Sequence, residues 1–148
     1  MKNLIEEFNT DYSNVLDSGR IEQWPAFFTD DAVYRITSRE NFDLGLPGGI
    51  LYAQGIGMLR DRAKALAETQ YFAPRYLMHM NTNVKVLEGL QARSNFILIE
   101  TLVEEPSRLH LAGQYYDQFE LVDSKLKLKS ITVVYDTNLI NSAVIYPV

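Results

Sequence analysis

The sequence predicts an α+β fold, with three helices from the N-terminal half packed on one curved, mixed but mostly antiparallel sheet. Three observations predict it. Pro74 to Asp136 reads as four consecutive strands, MHMNTNVKVL, QARSNFILIETLV, RLHLAGQYYDQFELV and KLKLKSITVVYD. Their connections, Glu88-Gly89, Glu104-Glu105-Pro106-Ser107 and Asp123-Ser124, have the length and residue types of hairpin turns. Near the N-terminus, Leu4, Phe8, Tyr12, Val15 and Leu16 recur at the spacing of a helical stripe.

In chain order, the first helix runs from Asn3 to Asp17 and stops at Ser18-Gly19, with Gly19 suited to a left-handed helix end. A short second helix carries Ile21, Trp24, Phe27 and Phe28 on one side. Pro25 fits an α-helix only in its first turn, which places the start near Glu22. Thr29-Asp30-Asp31 reads as a turn, and Ala32 to Thr37 as an isolated strand. Phe42 to Gly57, with Leu46-Pro47-Gly48-Gly49 at its centre, reads as an irregular connection. A third helix is expected over Ala53 to Thr69, on the stripe Leu59, Ala63, Leu66 and Ala67. In the last strand Leu126 and Leu128 face one way and Lys125, Lys127 and Lys129 the other. A sheet curled around a long helix also leaves a mouth that can hold a small ligand.

Composition excludes more than it asserts. The 148 residues are read as a single domain, 1–148, long enough to bury a core without cross-links. There is no cysteine, which removes thiolate catalysis, disulfides and cysteine-ligated metal or iron–sulfur sites. A net charge of -5 with interspersed signs argues against nucleic acid or an anionic membrane as partner. No apolar run reaches membrane-spanning length, and Glu6 and Glu7 interrupt any secretory apolar region, so a cytoplasmic location is expected.

Several local motifs then resemble one family. Trp24 with Phe27-Phe28-Thr29-Asp30-Asp31-Ala32-Val33-Tyr34, Ser38-Arg39-Glu40-Asn41, and Leu59, Arg62 and Leu66 occur in order. They are followed by Pro74, His79, Asn83 and Val84, by Ser94-Asn95-Phe96, by Gly113 with Asp117, and by Tyr135-Asp136. From Tyr12 to Leu139 the chain resembles the small (β) subunit of aromatic-ring-hydroxylating dioxygenases, of the NTF2-like and SnoaL-like cone superfamily. Gln114 stands where that family commonly has arginine.

The resemblance implies a trimer of this chain beneath catalytic large (α) subunits in a hetero-hexamer for aromatic compound catabolism. The large subunit would hold a Rieske cluster and a mononuclear iron bound by two histidines and a carboxylate. A Rieske centre needs cysteines. This chain would therefore carry no cofactor and no active site of its own, and would position the large subunits. Arg39, Glu40, Asn41, His79, Asn83, Asn95 and Asp117 are the expected subunit-interface residues.

Other readings of the same residues stay open at this stage. His79 and His110, the two histidines, could join Asp117 in an iron site. Strand parity opposes this, setting Asp117 on the opposite face from His110, and His79 with Asn81, Asn83 and Lys85 on a wetter face. The same cone also hosts free-standing lyases, isomerases or hydrolases, for which Asp30, Asp31 or His79 would be the catalytic candidates. A binding module of the same fold with another partner is a third possibility. The nine tyrosines suit either an interface or the rim of a core. The lysines of the last strand read as protection of a sheet edge, and Gly48-Gly49 lacks the pattern of a phosphate loop.

Overall fold

The computed structural model describes residues 1–68, 74–137, 144 and 146–148. The expected helix end at Thr69, together with Tyr71 and Leu139, lies outside them. Helix α1 spans Lys2–Asp17 and buries Ile5, Tyr12, Val15 and Leu16. Leu4 points outward, and Ile5 takes the core position instead. The helix ends as expected: Gly19 adopts φ 75, and the Gly19 and Arg20 N–H groups bond the carbonyls of Leu16 and Val15 at 3.2 Å each.

The second helix is a 3-10 helix over Ile21–Phe27 with Pro25 inside it, not an α-helix beginning near Glu22. Three residues per turn superpose Ile21, Trp24 and Phe27, the side that packs inward. Strand β1, Phe28–Ser38, follows at once, so Thr29-Asp30-Asp31 lies in the strand rather than in a turn. The register slips between Phe28 and Val33, and this irregularity absorbs the polar residues.

The stretch expected to be irregular contains structure. Helix α2, Arg39–Asp43, is capped by Ser38, whose hydroxyl accepts from the Asn41 N–H at 3.1 Å. Strand β2 is Leu51–Gln54 and helix α3 is Ile56–Glu68, so Ala53 belongs to the strand and not to the third helix. The four expected strands are β3 (Arg75–Val86), β4 (Gln91–Leu102), β5 (Arg108–Val122) and β6 (Lys125–Tyr135). Asp123 and Ser124 both have positive φ, 51 and 65, as a two-residue hairpin turn requires.

These strands form a six-stranded sheet in the order β2-β1-β6-β5-β4-β3. Neighbours are antiparallel except β1 and β6, which run parallel. β1 is therefore paired on both sides and is not isolated. β6 is likewise internal from Leu128 onward, which corrects the edge-protection reading for Lys129; Lys129 instead lies 3.9 Å from Glu120. Bulges in β3 and β5 add local twist, and the sheet curls around α1. This is the expected NTF2-like cone.

Aromatic rings fill the inside. Trp24 meets Phe28 and Tyr34 edge-on at 5.2 and 5.3 Å, and Phe8 meets Phe27 and Phe119 at 5.4 and 5.1 Å. On the far inner face Glu100, 1% exposed, is clasped by Arg75 at 2.8 Å and Arg108 at 3.0 Å. The end of α1 is fastened to β3 by Asp17. Its carboxylate accepts the His79 backbone N–H at 3.1 and 2.9 Å and meets Nδ1 at 2.5 Å.

Gly113 marks the tightest approach of β5 to β6. A Cβ there would lie 1.8 Å from the Val134 carbonyl oxygen, a backbone atom that cannot rotate away. Gly113→Ala should lower stability by about 3 kcal/mol or more, read as a fall in the urea midpoint at unchanged m-value.

Candidate subunit interface

The two faces of the sheet differ in what covers them. Over β1 and β6 the outer face is covered by the chain itself. Arg35 donates to the carbonyls of Leu46 and Gly48, and Gly49 lies so close that a Cβ would strike the Ile36 carbonyl. Thr37 and Val134 are fully buried beneath this cover. The Leu46-Pro47-Gly48-Gly49 loop is thus a lid on the back of the sheet.

Over β3, β4 and β5 the outer face is bare. Met80 pairs with Ile97 and Ile97 with Ala112; Met78 pairs with Ile99 and Ile99 with Leu109. Cross-strand partners share a face, so these side chains form one apolar patch. Tyr76, Met78 and Met80 are 74%, 58% and 54% exposed. Single exposed apolar residues are ordinary, but a contiguous patch marks a contact surface.

A polar row borders the patch. Arg39 of α2 reaches Asp136 and Gln114 at 3.2 Å each and Tyr116 at 3.4 Å. Gln114 passes the chain on to the Asn95 side-chain oxygen at 3.1 Å, and the Tyr116 hydroxyl donates to Gln114 at 2.9 Å. Phe42 stacks on Tyr116 at 4.7 Å and holds α2 against β5. The hydrogen bond to Tyr116, then the Asp136 carboxylate, raises the Arg39 pKa and keeps the guanidinium charged. The row and the patch meet in a shallow groove lined by Arg39, Met80, Asn95, Ile97, Ala112 and Gln114.

The structure brings Arg39 and Asn95 into this row, with Asn41 at the base of α2 and Glu40 exposed beside it. Asn83 is exposed at the β3 bulge with φ 57, a left-handed conformation that asparagine tolerates. Its slip in register also returns Val84 to the core. His79 and Asp117 lie elsewhere, with buried side chains on the inner face. The placement of His79 on a wet face is therefore corrected: α1 covers that face, and Met78 and Met80 occupy the open one. The parity argument that separated His110 from Asp117 is corrected too. The bulge at His110 turns it inward with Leu111, near Glu100, and burial lowers its pKa. Among the described residues, the two histidines and Asp117 are not gathered into a metal-holding set. Asp30 and Asp31 are exposed, without the burial that makes a general base of an aspartate. Sequence reasoning missed Asp17, Gln114, Tyr116 and Asp136 as partners, because each bond spans 62 residues or more, or depends on which outer-face residues align.

Between α1 and β3 lies a cleft of about 450 Å³, lined among others by Asn9, Ser13, His79, Asn81 and Val84. Phe8, Asn9, Tyr12, Asn81, Tyr115 and Asp117 surround a void of about 10 Å³, the limit for one water molecule. Fold and site together define a cone-shaped α+β protein with an aromatic core and an exposed apolar patch over part of its back.

The model of the SnoaL-like domain family matches residues 2–132. The small subunit of anthranilate 1,2-dioxygenase from Burkholderia cepacia is 32% identical over 161 aligned residues covering all of both chains. The β2 subunit of the terminal oxygenase component of terephthalate 1,2-dioxygenase from Comamonas sp. is 31% identical, over 97% of this chain and 96% of its own. A solved chain assigned as the β subunit of an aromatic-ring-hydroxylating dioxygenase from Novosphingobium aromaticivorans has a TM-score of 0.86 at 34% identity, covering 99% of this chain and 96% of that one. The chain belongs to the SnoaL-like family and, within it, to the small subunits of aromatic-ring dioxygenases.

The buried Asp117 gives the interior a measurable signature. Burial pushes its pKa from 3.8 up to about 8, and its Oδ1 is without a hydrogen-bond partner among the described residues. Between these values the folded chain keeps a proton that the unfolded chain has released, so stability falls as pH rises. The expected contribution is about 1.4 kcal/mol per pH unit over that window, seen in urea titrations from pH 5 to 8. Asp117→Asn should remove that slope.

Proposed function

We propose that this chain is the non-catalytic β subunit of a Rieske-type aromatic-ring-hydroxylating oxygenase. Copies of it associate as a trimer through the bare outer face of β3, β4 and β5. The assembled trimer holds catalytic large subunits so that one subunit's Rieske cluster lies near its neighbour's iron. The Rieske cluster belongs to the large subunit, since this chain has no cysteine to ligate it, and the mononuclear iron is assigned there with it by the family resemblance. The complex would work in the cytoplasm; no described helix is long and apolar enough to cross a membrane.

The apolar patch running through Met78, Met80, Ile97 and Leu109 carries this reading. Apolar faces with a polar margin are the composition of permanent interfaces between identical subunits. Arg39, Glu40, Asn41 and Asn95 supply that margin, with Arg39 already fixed in place by Asp136 and Gln114.

Two experiments test the proposal. Met80→Asp with Ile97→Asp would bury unpaired charges at the contact and should weaken self-association by about 100-fold or more. The variant should keep the circular dichroism spectrum of the folded chain while eluting as a monomer; elution at the parent's size would remove the patch from the interface. Gentle affinity purification from the native host should also bring down a larger, brown polypeptide with iron–sulfur absorption. Replacing Arg39 and Glu40 together by alanine should reduce its yield without unfolding the chain, whereas a colourless chain purified alone would count against the oxygenase assignment.

A further inference from the structure

The seam between α1 and β3 is polar where a core seam would be apolar. Asn9, Ser13 and Asp17 recur every four residues and so lie in one line along α1. Two of them are tied to β3. Asn9 donates to the Asn81 side-chain oxygen at 3.2 Å, and Asp17 holds the backbone N–H and the ring Nδ1 of His79. Beside these ties opens the cleft of about 450 Å³, with Ser13, His79 and Asn81 in its wall.

One atom of that wall is left over. The His79 side chain is 1% exposed, yet its Nε2 has no hydrogen-bond partner among the described residues. Buried polar atoms are ordinarily paired. Because Nδ1 faces the Asp17 carboxylate, the neutral ring carries its proton there, and Nε2 is an acceptor. The two ring nitrogens point away from each other, and Asp17 is not part of the cleft wall, so Nε2 looks to the cleft side. An acceptor in this place calls for a hydroxyl or N–H on the molecule that enters. The remaining wall narrows the choice. Asn9, Asn81 and Asn83 present amides, and Thr10 and Ser13 present hydroxyls. No lysine or arginine is among the described lining residues, and Glu6 adds a negative charge, so an anion meets repulsion without a counter-charge. Met80 and Val84 are the apolar part, too little for an aromatic hydrocarbon.

We propose that the cleft between α1 and β3 binds a small, neutral polyhydroxy compound. One of its hydroxyls donates to His79 Nε2, and the others are met by the Asn9 and Asn81 amides and the Ser13 hydroxyl. Asp17 fixes the imidazole ring and its tautomer, so the acceptor is aimed before the ligand arrives. The ring lies on the inner face of the sheet, away from the apolar patch. The inference therefore does not rest on the oxygenase reading.

The test is nuclear magnetic resonance of the full chain carrying isotope-labelled histidine, at about pH 8, above the ordinary histidine range. The chain has two histidines, and His110 serves as the internal control. myo-Inositol and D-glucose are each titrated to about 100 mM, with sodium benzoate alongside as an anion of similar size. At least one polyol should move the His79 Nε2 signal to saturation, with a Kd of about 20 mM or tighter, and leave His110 unmoved. Benzoate should move neither. Ser13→Ala keeps the contact between Asp17 and His79 and should weaken the polyol about fivefold. The absence of a saturable shift with both polyols overturns the proposal. So does an equal response to benzoate, or a Ser13→Ala chain that binds the polyol as tightly as the parent.

Discussion

Trp24 stands edge-on to Phe28 and Tyr34 while its indole N–H reaches the Tyr12 hydroxyl, and the rest of the cone is arranged around that cluster. It brings together α1, the 3-10 helix and β1. Each ring supplies a large apolar surface, and edge-to-face contact adds specific geometry. Phe8, Phe27 and Phe119 continue the packing toward the hairpin end of the sheet. These rings occupy part of the concavity of the sheet.

The outside of the sheet is not uniform. On the back of the sheet, one half is sealed by α2 and the loop that Arg35 holds down, and the other half presents methionine, isoleucine and leucine. The boundary between them is the hydrogen-bonded row from Arg39 to Asn95. Because α2 is stacked on Tyr116 and capped by Ser38, the margin of the patch is rigid before any partner arrives. Preorganisation of this kind lowers the ordering cost of association.

Much of this was legible in the sequence where signals are local. The four-strand meander, its turns and the Gly19 helix end follow from alternation, hairpin residues and left-handed preference within a few residues. What was misread depended on bulges. A slip of one residue exchanges the faces of a strand, and the irregularities at Asn83 and His110 reversed the parity used to place their neighbours. The 3-10 geometry around Pro25 and the strand through Asp30 and Asp31 were hidden because tertiary pairing with β6 outweighs local turn preference. Of the residues expected at the interface, Arg39 and Asn95 meet only because β4, β5 and α2 align them, and His79 faces inward because α1 crosses its strand. Such alignments have no trace in a single stretch of sequence.

One contact has a bearing on how the protein avoids aggregation. β3 is the last strand of the sheet, and a long outer strand with an apolar face invites endless strand-by-strand growth. Asp17 occupies the outward-facing N–H of His79, midway along that border, and the bulge at Asn83 bends the remainder out of line. A second β-strand has no uninterrupted ladder to join there. The chain can therefore leave its greasy back uncovered for a companion of defined shape while closing the route to fibrils.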